Sequence, residues 1–325
     1  MDPRIDAELA ANAGSDEEFV ERAFRLVLRR PPDEEGRTRA LEKLADGTLS
    51  RATLLHELVS SEELGRVREL DDAVALGLGA RARGERIRWL QAPPGTDERV
   101  VEIPWVLSRL HPSGRVLEVG YAFAEPAYLA GLLRSGVELV GADLATRDVE
   151  GMETVEADTR DLPFADRTFD QVLLVSTLEH VGADNTVYGL EAQGDGHART
   201  EALRELRRVL RRDGRLLVTV PLGEPEDYGW FRQEDERGWM RLFARAGLFV
   251  EESEAYELTP EGWHAARAFR AKGVRYGERG PAASAVLCAE LSPARMRRLL
   301  TPGGVRTAAR RRATRTYRRV RRGDL

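Results

Sequence analysis

Cysteine is almost missing from this chain: Cys288 is the only one in 325 residues. A single thiol excludes an internal disulfide and any multi-cysteine zinc or iron–sulfur site. Nothing near it in sequence would activate it as a nucleophile, so it reads as a small buried hydrophobe. Long apolar runs are missing too. No stretch approaches the roughly 20 apolar residues that a membrane span needs, and 32% of the residues are charged, which makes a strongly solvated surface. The first residues, MDPRIDAELAANAGSDEE, are acidic and lack the basic start and apolar run of a secretory signal. These absences lead to the expectation of a soluble, cytoplasmic protein.

What is present is enough apolar material, 42% of the residues, for ordinary cores. The length suits one catalytic domain with an accessory module. The net charge of -5 is unevenly spread, because residues 301–325 (TPGGVRTAARRRATRTYRRVRRGDL) carry arginines almost without acids. Two readings of that tail stand side by side. One is attachment to an anionic surface, with inner-leaflet lipid expected ahead of nucleic acid, and the other is a solvated end.

Ser15 and Glu18 have capping-box spacing, and Phe19, Ala23, Phe24, Val27 and Leu28 fall on one face of the helix that follows. Pro31 and Pro32 end that helix. Two more are predicted, from Asp33 to Leu44 with Gly47 as terminator and from Ser50 to Leu58. Residues 1–70 thus form a small all-α accessory domain. Residues 71–98, charged and then punctuated by Pro93, Pro94 and Gly95, read as a linker. Over 99–275 strands and helices alternate, after a first helix from about Val100 to Leu110. They are RVLEVG, a helix from Ala127 to Arg134, VELVGADL, TVEAD, FDQVLLVS, the helix ARTEALRELRRVL and RLLVTVP, with another helix and strand in GWMRLFARAGLFVEESEAYEL. Continuous apolar strands between amphipathic helices indicate a parallel sheet covered on both faces. The fold class is therefore α/β, doubly wound, with its ligand at the strand C-termini. Residues 276–325 read as a C-terminal extension ending in the arginine-rich tail.

The sharpest chemical signal lies at successive strand ends. Glu118 and Gly120 close the first strand of the sheet, Asp143 closes the second, and Asp158 follows the third. A carboxylate at the second strand end suits the two hydroxyls of a ribose, and Gly120 lets the backbone approach a ligand with no Cβ in the way. A dinucleotide site needs G-x-G-x-x-G, whose amides cradle a pyrophosphate at a helix N-terminus. Here the run is Gly120-Tyr121-Ala122-Phe123-Ala124-Glu125, without the later glycines and with an acid where phosphates would sit. A nicotinamide oxidoreductase is the weaker rival, and an adenosyl sulfonium, which carries no phosphate, is the favoured ligand.

Over about residues 99–260 these motifs resemble class I S-adenosylmethionine-dependent methyltransferases of the type 11-like kind. VLEVG corresponds to the first motif of that family, GADL to its acidic second-strand end, EADTRDLPFADRTFDQVLLVSTLEHVG to its third and fourth strands, and RELRRVLRRDGRLLVTVP to the following helix, turn and fifth strand. The resemblance implies a Rossmann-like sheet and S-adenosylmethionine as cofactor. Glu118 and Gly120 would line the methionine side, Asp143 would hold the ribose, Asp158 and Thr159 would sit by the adenine, and Tyr121, Leu144 and Ser176 would complete the binding set. The family usually shows G-x-G-x-G where this chain has only Gly120, with small alanines at 122 and 124. Separately, residues 15–66 resemble the bacterial family called domain of unknown function 4214, whose members accompany enzymes of surface glycans.

On the acceptor side, His180 follows the fourth strand at the expected mouth of the site and is the candidate base, since imidazole titrates near neutral pH. Asp184, in the loop GADNTVYGLEAQGDGHART, is the second catalytic candidate. Long loops in compact domains are commonly functional. This one offers Asn185 and Tyr188 to a substrate, and the loop GEPEDYGWFRQEDERGW offers Tyr228, Trp230 and Gln233, a mix of aromatic faces and amides that suits a sugar ring. The same residues also serve to anchor loops to a core. Both loops resemble those of methyltransferases found with polysaccharide biosynthesis, which implies a saccharide acceptor. No metal-ligand spacing is apparent. The alternative is a non-catalytic scaffold of a surface-glycan or secondary-metabolite pathway.

Overall fold

The computed structural model describes residues 14–186, 196–267, 271, 273–280 and 282–293. Tyr188 and the arginine-rich tail, both assigned roles from sequence, lie outside the described residues. Ser15 caps α1 (Asp16–Val27): its hydroxyl accepts the Glu18 amide at 3.2 Å, and its own amide donates to the Glu18 carboxylate at 3.1 Å. This is the capping box expected from the spacing. With α2 (Glu34–Ala45) and α3 (Arg51–Val59), α1 encloses a small core built on Phe19, Phe24, Val27, Leu54 and Leu58.

The next helix, α4 (Glu62–Ala82), joins that bundle to the larger unit. Leu64 belongs to the bundle core, while Leu70 and Val74 belong to the core beneath the sheet. Gly77 on α4 meets α5 (Arg99–Leu107) so closely that a Cβ there would stand 2.7 Å from the Leu107 Cβ and 2.9 Å from the Pro104 Cα. The segment expected as a linker is therefore corrected over much of its length. Residues 71–82 are packed helix, because Ala73, Val74, Gly77 and Ala80 make a narrow stripe of small apolar residues among charges. Gln91–Ala92 forms β1, an edge strand.

The sheet contains β1, β2 (Arg115–Val119), β3 (Glu138–Asp143), β4 (Glu153–Glu156), β5 (Phe169–Val175), β6 (Leu210–Pro221), and three strands that follow a short two-stranded ribbon of β7 (Glu226–Asp227) and β8 (Arg232–Gln233). These are β9 (Phe249–Thr259), β10 (Gly262–Ala266) and β11 (Ala285–Ser292). Among the described residues it has nine strands in the order β1-β10-β9-β11-β6-β5-β2-β3-β4. Strands β4, β3, β2, β5 and β6 are parallel neighbours. Side chains of successive strand residues point to opposite faces. Leu117 and Val172 enter one core with Leu206 of α7 (Ala198–Val209) and Phe243 of α8 (Glu236–Arg245), while Val116 and Leu173 enter the other with Trp105 of α5 and Leu132 of α6 (Pro126–Arg134). This two-faced burial is what continuous apolar strands required.

Strand β11 corrects the reading of residues 276–325 as an extension. All eight of its residues are buried, and it inserts antiparallel between β6 and β9, with Cys288 on it. Its partner in β6 lies far back in the chain, and short apolar runs carry no periodicity that would announce such a long-range pairing.

The chain leaves β2 toward β3 and β4, then crosses back to lay β5 and β6 on the opposite side of β2. The switch point lies between β2 and β5, where an open parallel sheet opens a crevice at its carboxyl ends.

Candidate functional site

A pocket opens at that switch point, with about 1160 Å³ of empty space including its mouth. It is lined from four strand tips: Glu118 and Gly120 after β2, Asp143 and Leu144 after β3, Asp158 and Thr159 after β4, and Val175, Ser176 and Thr177 at the end of β5. Arg99 and Ile103 of α5, Tyr128 of α6, and His180, Val181 and Asn185 beyond β5 complete much of the wall.

Gly120 has φ +87°, a region that glycine enters at little cost. A Cβ there would also lie 2.4 Å from Thr177 Oγ1, so the β2 and β5 tips touch only because position 120 has no side chain. Asp143 ties down the loop that follows β2: its carboxylate accepts the amides of Ala122 at 3.0 Å and Ala145 at 3.3 Å. Burial pushes the Asp143 carboxyl above its ordinary value, with those amides opposing the shift. Asp158 is held differently. Burial acts to raise it, but hydrogen bonds from Arg160, at 3.0 and 2.5 Å, and the arginine charge outweigh burial and keep it ionised.

Ser176 sits at φ +43°, a strained conformation for a residue with a Cβ. Its hydroxyl is 2.9 Å from both oxygens of the fully buried Glu102 and accepts Arg99 Nη1 at 2.7 Å, while Arg99 also reaches Glu102 at 2.8 Å. Burial works against the Arg99 charge, and Glu102, Glu98 and Asp97 reverse that and raise its pKa. Arg99 and Glu102 were not identified from sequence. Their signal was an i, i+3 arginine–glutamate pair inside the apolar helix RVVEIPWVL, where one buried charge demands another.

His180 lies on a single 3-10 turn, Leu178–His180. Its Nδ1 is 2.9 Å from the Trp230 carbonyl oxygen, so Nδ1 carries the proton and Nε2 the lone pair. Burial drives the imidazole down to about 4, the Trp230 carbonyl opposing, and it is neutral at pH 7. Asn185 stands beside it and donates from Nδ2 to the His180 carbonyl at 3.1 Å.

The other sequence candidates lie outside the lining. Tyr121 is fully buried beneath the loop: its ring packs on Gly141, where a Cβ would come within 2.7 Å, and its hydroxyl accepts the Arg147 amide at 3.3 Å. Asp184 is exposed and accepts the amide of Thr186 at 3.0 Å within its own turn. Tyr228 stacks on Phe231 with ring centroids 4.6 Å apart and accepts the Tyr276 amide. Gln233 is buried and donates to the carbonyls of Glu224 and Val274. Trp230 acts on the pocket indirectly, through its carbonyl to His180. These aromatic and amide groups pin the second loop, because buried polar atoms find partners before ligands do.

Glu179, next to His180, is fully buried and its carboxyl is pushed up to about 8 by burial, its own backbone amide opposing and Glu102 adding to the rise. In the unfolded chain that carboxyl ionises near its ordinary value of about 4.5. Between about pH 4.5 and 8 the folded state therefore holds a proton that the unfolded state has lost, and stability falls as pH rises. Glu179→Gln removes this titration. We expect the decline in Tm between pH 5 and 8 to shrink by about 5 °C in the variant, read by thermal denaturation; an unchanged decline contradicts the assignment.

The Rossmann-like, doubly wound sheet with its pocket at the switch point defines the class of this protein. Residues 6–66 match the family model described as a domain of unknown function (DUF4214), and residues 117–218 match that described as a methyltransferase domain. Solved structures similar to it include a Burkholderia thailandensis 1,6-didemethyltoxoflavin-N1-methyltransferase with bound 1,6-didemethyltoxoflavin and S-adenosylhomocysteine, at 16% identity and TM-score 0.39 over 87% of this chain and 92% of that one. A Methanosarcina mazei S-adenosylmethionine-dependent methyltransferase gives 13% identity and TM-score 0.40 over 58% and 96%. A TehB-like enzyme from Corynebacterium glutamicum gives 16% and 0.37 over 69% and 98%. No curated protein matches the chain.

Proposed function

We propose that this protein is an S-adenosylmethionine-dependent methyltransferase that methylates a hydroxyl of a polar acceptor, a saccharide or glycosylated metabolite. The observation that carries the reading is the convergence of Glu118, Asp143 and Asp158, from three neighbouring parallel strand tips, on one pocket within the segment that matches a methyltransferase domain. The pocket suits this cofactor. Arg99, the one cation among the described residues that line it, is already engaged by Glu102 and Ser176, and the cradle at Gly120 admits no Cβ. Excess acid without phosphate donors favours a cation over a diphosphate.

Asp143 would hold the ribose hydroxyls, Asp158 and Thr159 the adenine end, and Glu118 the cationic methionine end. When bound, S-adenosylmethionine supplies a methyl carbon made electrophilic by its sulfonium. What remains for the chain is alignment, which dominates an in-line displacement. His180 accepts a hydrogen bond from the acceptor hydroxyl through Nε2 and takes its proton as the oxygen forms its bond to carbon. A weak base suffices at that stage, because an oxygen gaining a third bond becomes strongly acidic. The polar acceptor is supported by the loop resemblance and by the N-terminal domain, and peripheral attachment to an anionic membrane through residues 301–325 belongs to the same proposal. Among the described residues no helix is long and apolar enough to cross a membrane.

A second reading, a non-catalytic scaffold, has one observation in its favour: Asp143 and Asp158 are both engaged, by loop amides and by Arg160. Calorimetry with S-adenosylmethionine tests the cofactor. Binding is expected for the intact protein, with a loss of about tenfold or more in Asp143→Ala; no heat from the intact protein refutes the proposal. Turnover against a panel of sugars then separates enzyme from scaffold.

A further inference from the structure

Glu118 is 1% exposed and lines the pocket, and Tyr128, which is 2% exposed, lines the same pocket from α6. The Tyr128 hydroxyl donates to Glu118 Oε2 at 2.9 Å. This contact links β2 to the helix that follows it, inside the ligand cavity, and serves no turn or cap. We propose that Tyr128 is a positioning residue for the cofactor, donating to the Glu118 carboxyl group and aiming it at the cationic end of the ligand. The inference rests on the cofactor reading above and adds the residue that orients the Glu118 carboxyl group.

Three physical points support it. First, a carboxylate inside a wall of apolar atoms loses its water, and a hydroxyl donor replaces part of what was lost. Second, burial pushes the Glu118 carboxyl well above its ordinary value, the Tyr128 hydrogen bond pulls it back, and the neighbouring charge of Asp143 on β3 adds to the rise. Third, Tyr128 itself cannot ionise in this place. Burial and Glu118 raise its own pKa, with Glu102 adding to the rise and Arg99 opposing, so it remains a donor throughout the working pH range. Tyr128 on α6, Asp143 on β3, and Glu102 and Arg99 on α5 are the titratable and charged groups that act on this pair. Arg99 and Glu102 neutralise one another, which leaves Glu118 to meet a cation.

A cationic cofactor then binds with release of a proton from whatever fraction of Glu118 is protonated, and its affinity rises with pH up to the Glu118 midpoint. Removing the hydroxyl moves that midpoint upward. The test follows the carboxyl directly, in protein without cofactor, by infrared difference titration of the C=O stretch of protonated buried acids. The band that disappears in Glu118→Gln belongs to Glu118. In Tyr128→Phe the midpoint of this band is expected to rise by about one pH unit, the scale of a single lost hydrogen bond to a carboxylate. Calorimetry is expected to show S-adenosylmethionine affinity about tenfold weaker below the midpoint, recovering at higher pH. If Tyr128→Phe fails to fold, difluorotyrosine at position 128 replaces it. That side chain has the same shape and is a stronger donor, and it should move the midpoint down.

A Glu118 band that titrates identically with and without the hydroxyl overturns the proposal. A shifted band in a protein that takes up no S-adenosylmethionine supports the hold of Tyr128 on Glu118 and overturns the cofactor reading instead. In the Glu118→Gln background, Tyr128→Phe should leave the pH profile of binding unchanged. A merely structural tyrosine would weaken binding equally at every pH, which also counts against the proposal.

Discussion

Arg109→Ala is expected to destabilise the protein by on the order of 3–5 kcal/mol and to lower its Tm by about 10 °C. The side chain of Arg109 is 0% exposed and lies at the join between the end of α5 and the antiparallel half of the sheet. Its Nη2 reaches Glu252 at 3.1 Å and Glu254 at 3.4 Å on β9, while its Nη1 donates to the carbonyls of Ile87 at 2.9 Å and Trp105 at 3.1 Å. The guanidinium also lies 3.9 Å from the centre of the Trp105 ring. Burial lowers the Arg109 pKa, and the two glutamates oppose that shift, a partial compensation that exists only while both signs are present. Removing the cation leaves the largely buried Glu254 without its Arg109 counter-charge and with only the Trp89 amide and the Tyr256 hydroxyl as donors among the described residues, whereas Glu252 keeps Arg86 and Arg88. Urea denaturation of Arg109→Ala measures the loss. Arg109→Met combined with Glu254→Gln should recover a good part of it, since removing both charges is milder than removing one. A single-variant loss below about 1 kcal/mol would falsify the claim that this ion pair is the joint between the two halves.

Gly120→Ala is expected to remove most cofactor binding while leaving a folded protein. The added methyl meets Thr177 Oγ1 and Cγ2, and the hydroxyl of Thr177 would be driven from its bonds to the carbonyls of Val175 at 2.9 Å and Val119 at 3.3 Å. Alanine at φ +87° adds strain of about 1–2 kcal/mol. The two β tips that form the floor of the pocket then separate, and S-adenosylmethionine affinity should fall by about a hundredfold, which calorimetry reads directly. Combining Gly120→Ala with Thr177→Ala relieves the collision and not the backbone strain, so affinity should return in part. Full affinity in the single variant would mean that the cradle at Gly120 does not touch the ligand.

Much of the fold was legible because it is written in local periodicity. Ser15 with Glu18 announced the first helix, the runs RVLEVG and FDQVLLV announced strands buried on both faces, and the acids after three strand ends marked the crevice. The contribution of residues 71–82 was not legible, because a stripe of small residues on a charged helix looks like a solvated connector until Gly77 is seen against Pro104 and Leu107. Nor was β11, whose place depends on pairing with strands distant in the chain. At the site, the carboxylates Glu118, Asp143 and Asp158 were found through strand position. Arg99 and Tyr128 come from helices and line the pocket only when those helices pack on the sheet, with Glu102 buried behind Ser176.

The acceptor loops show the same division. Asn185 and His180 face the pocket, whereas Asp184, one residue away from Asn185, turns to solvent, and Tyr228 and Gln233 spend their polar atoms on backbone. Residue type predicts the bonds a side chain can make, and only its neighbours in space decide which are made. The succession of strands and helices along the chain, the capped helices and the acids after the strands follow from the sequence alone, because helix and strand periodicities and turn chemistry act over a few residues. The pairing of Glu118 with Tyr128, the neutral state of His180 and the burial of Arg109 were decided by tertiary structure, because desolvation and charge pairing depend on which distant segments exclude the water.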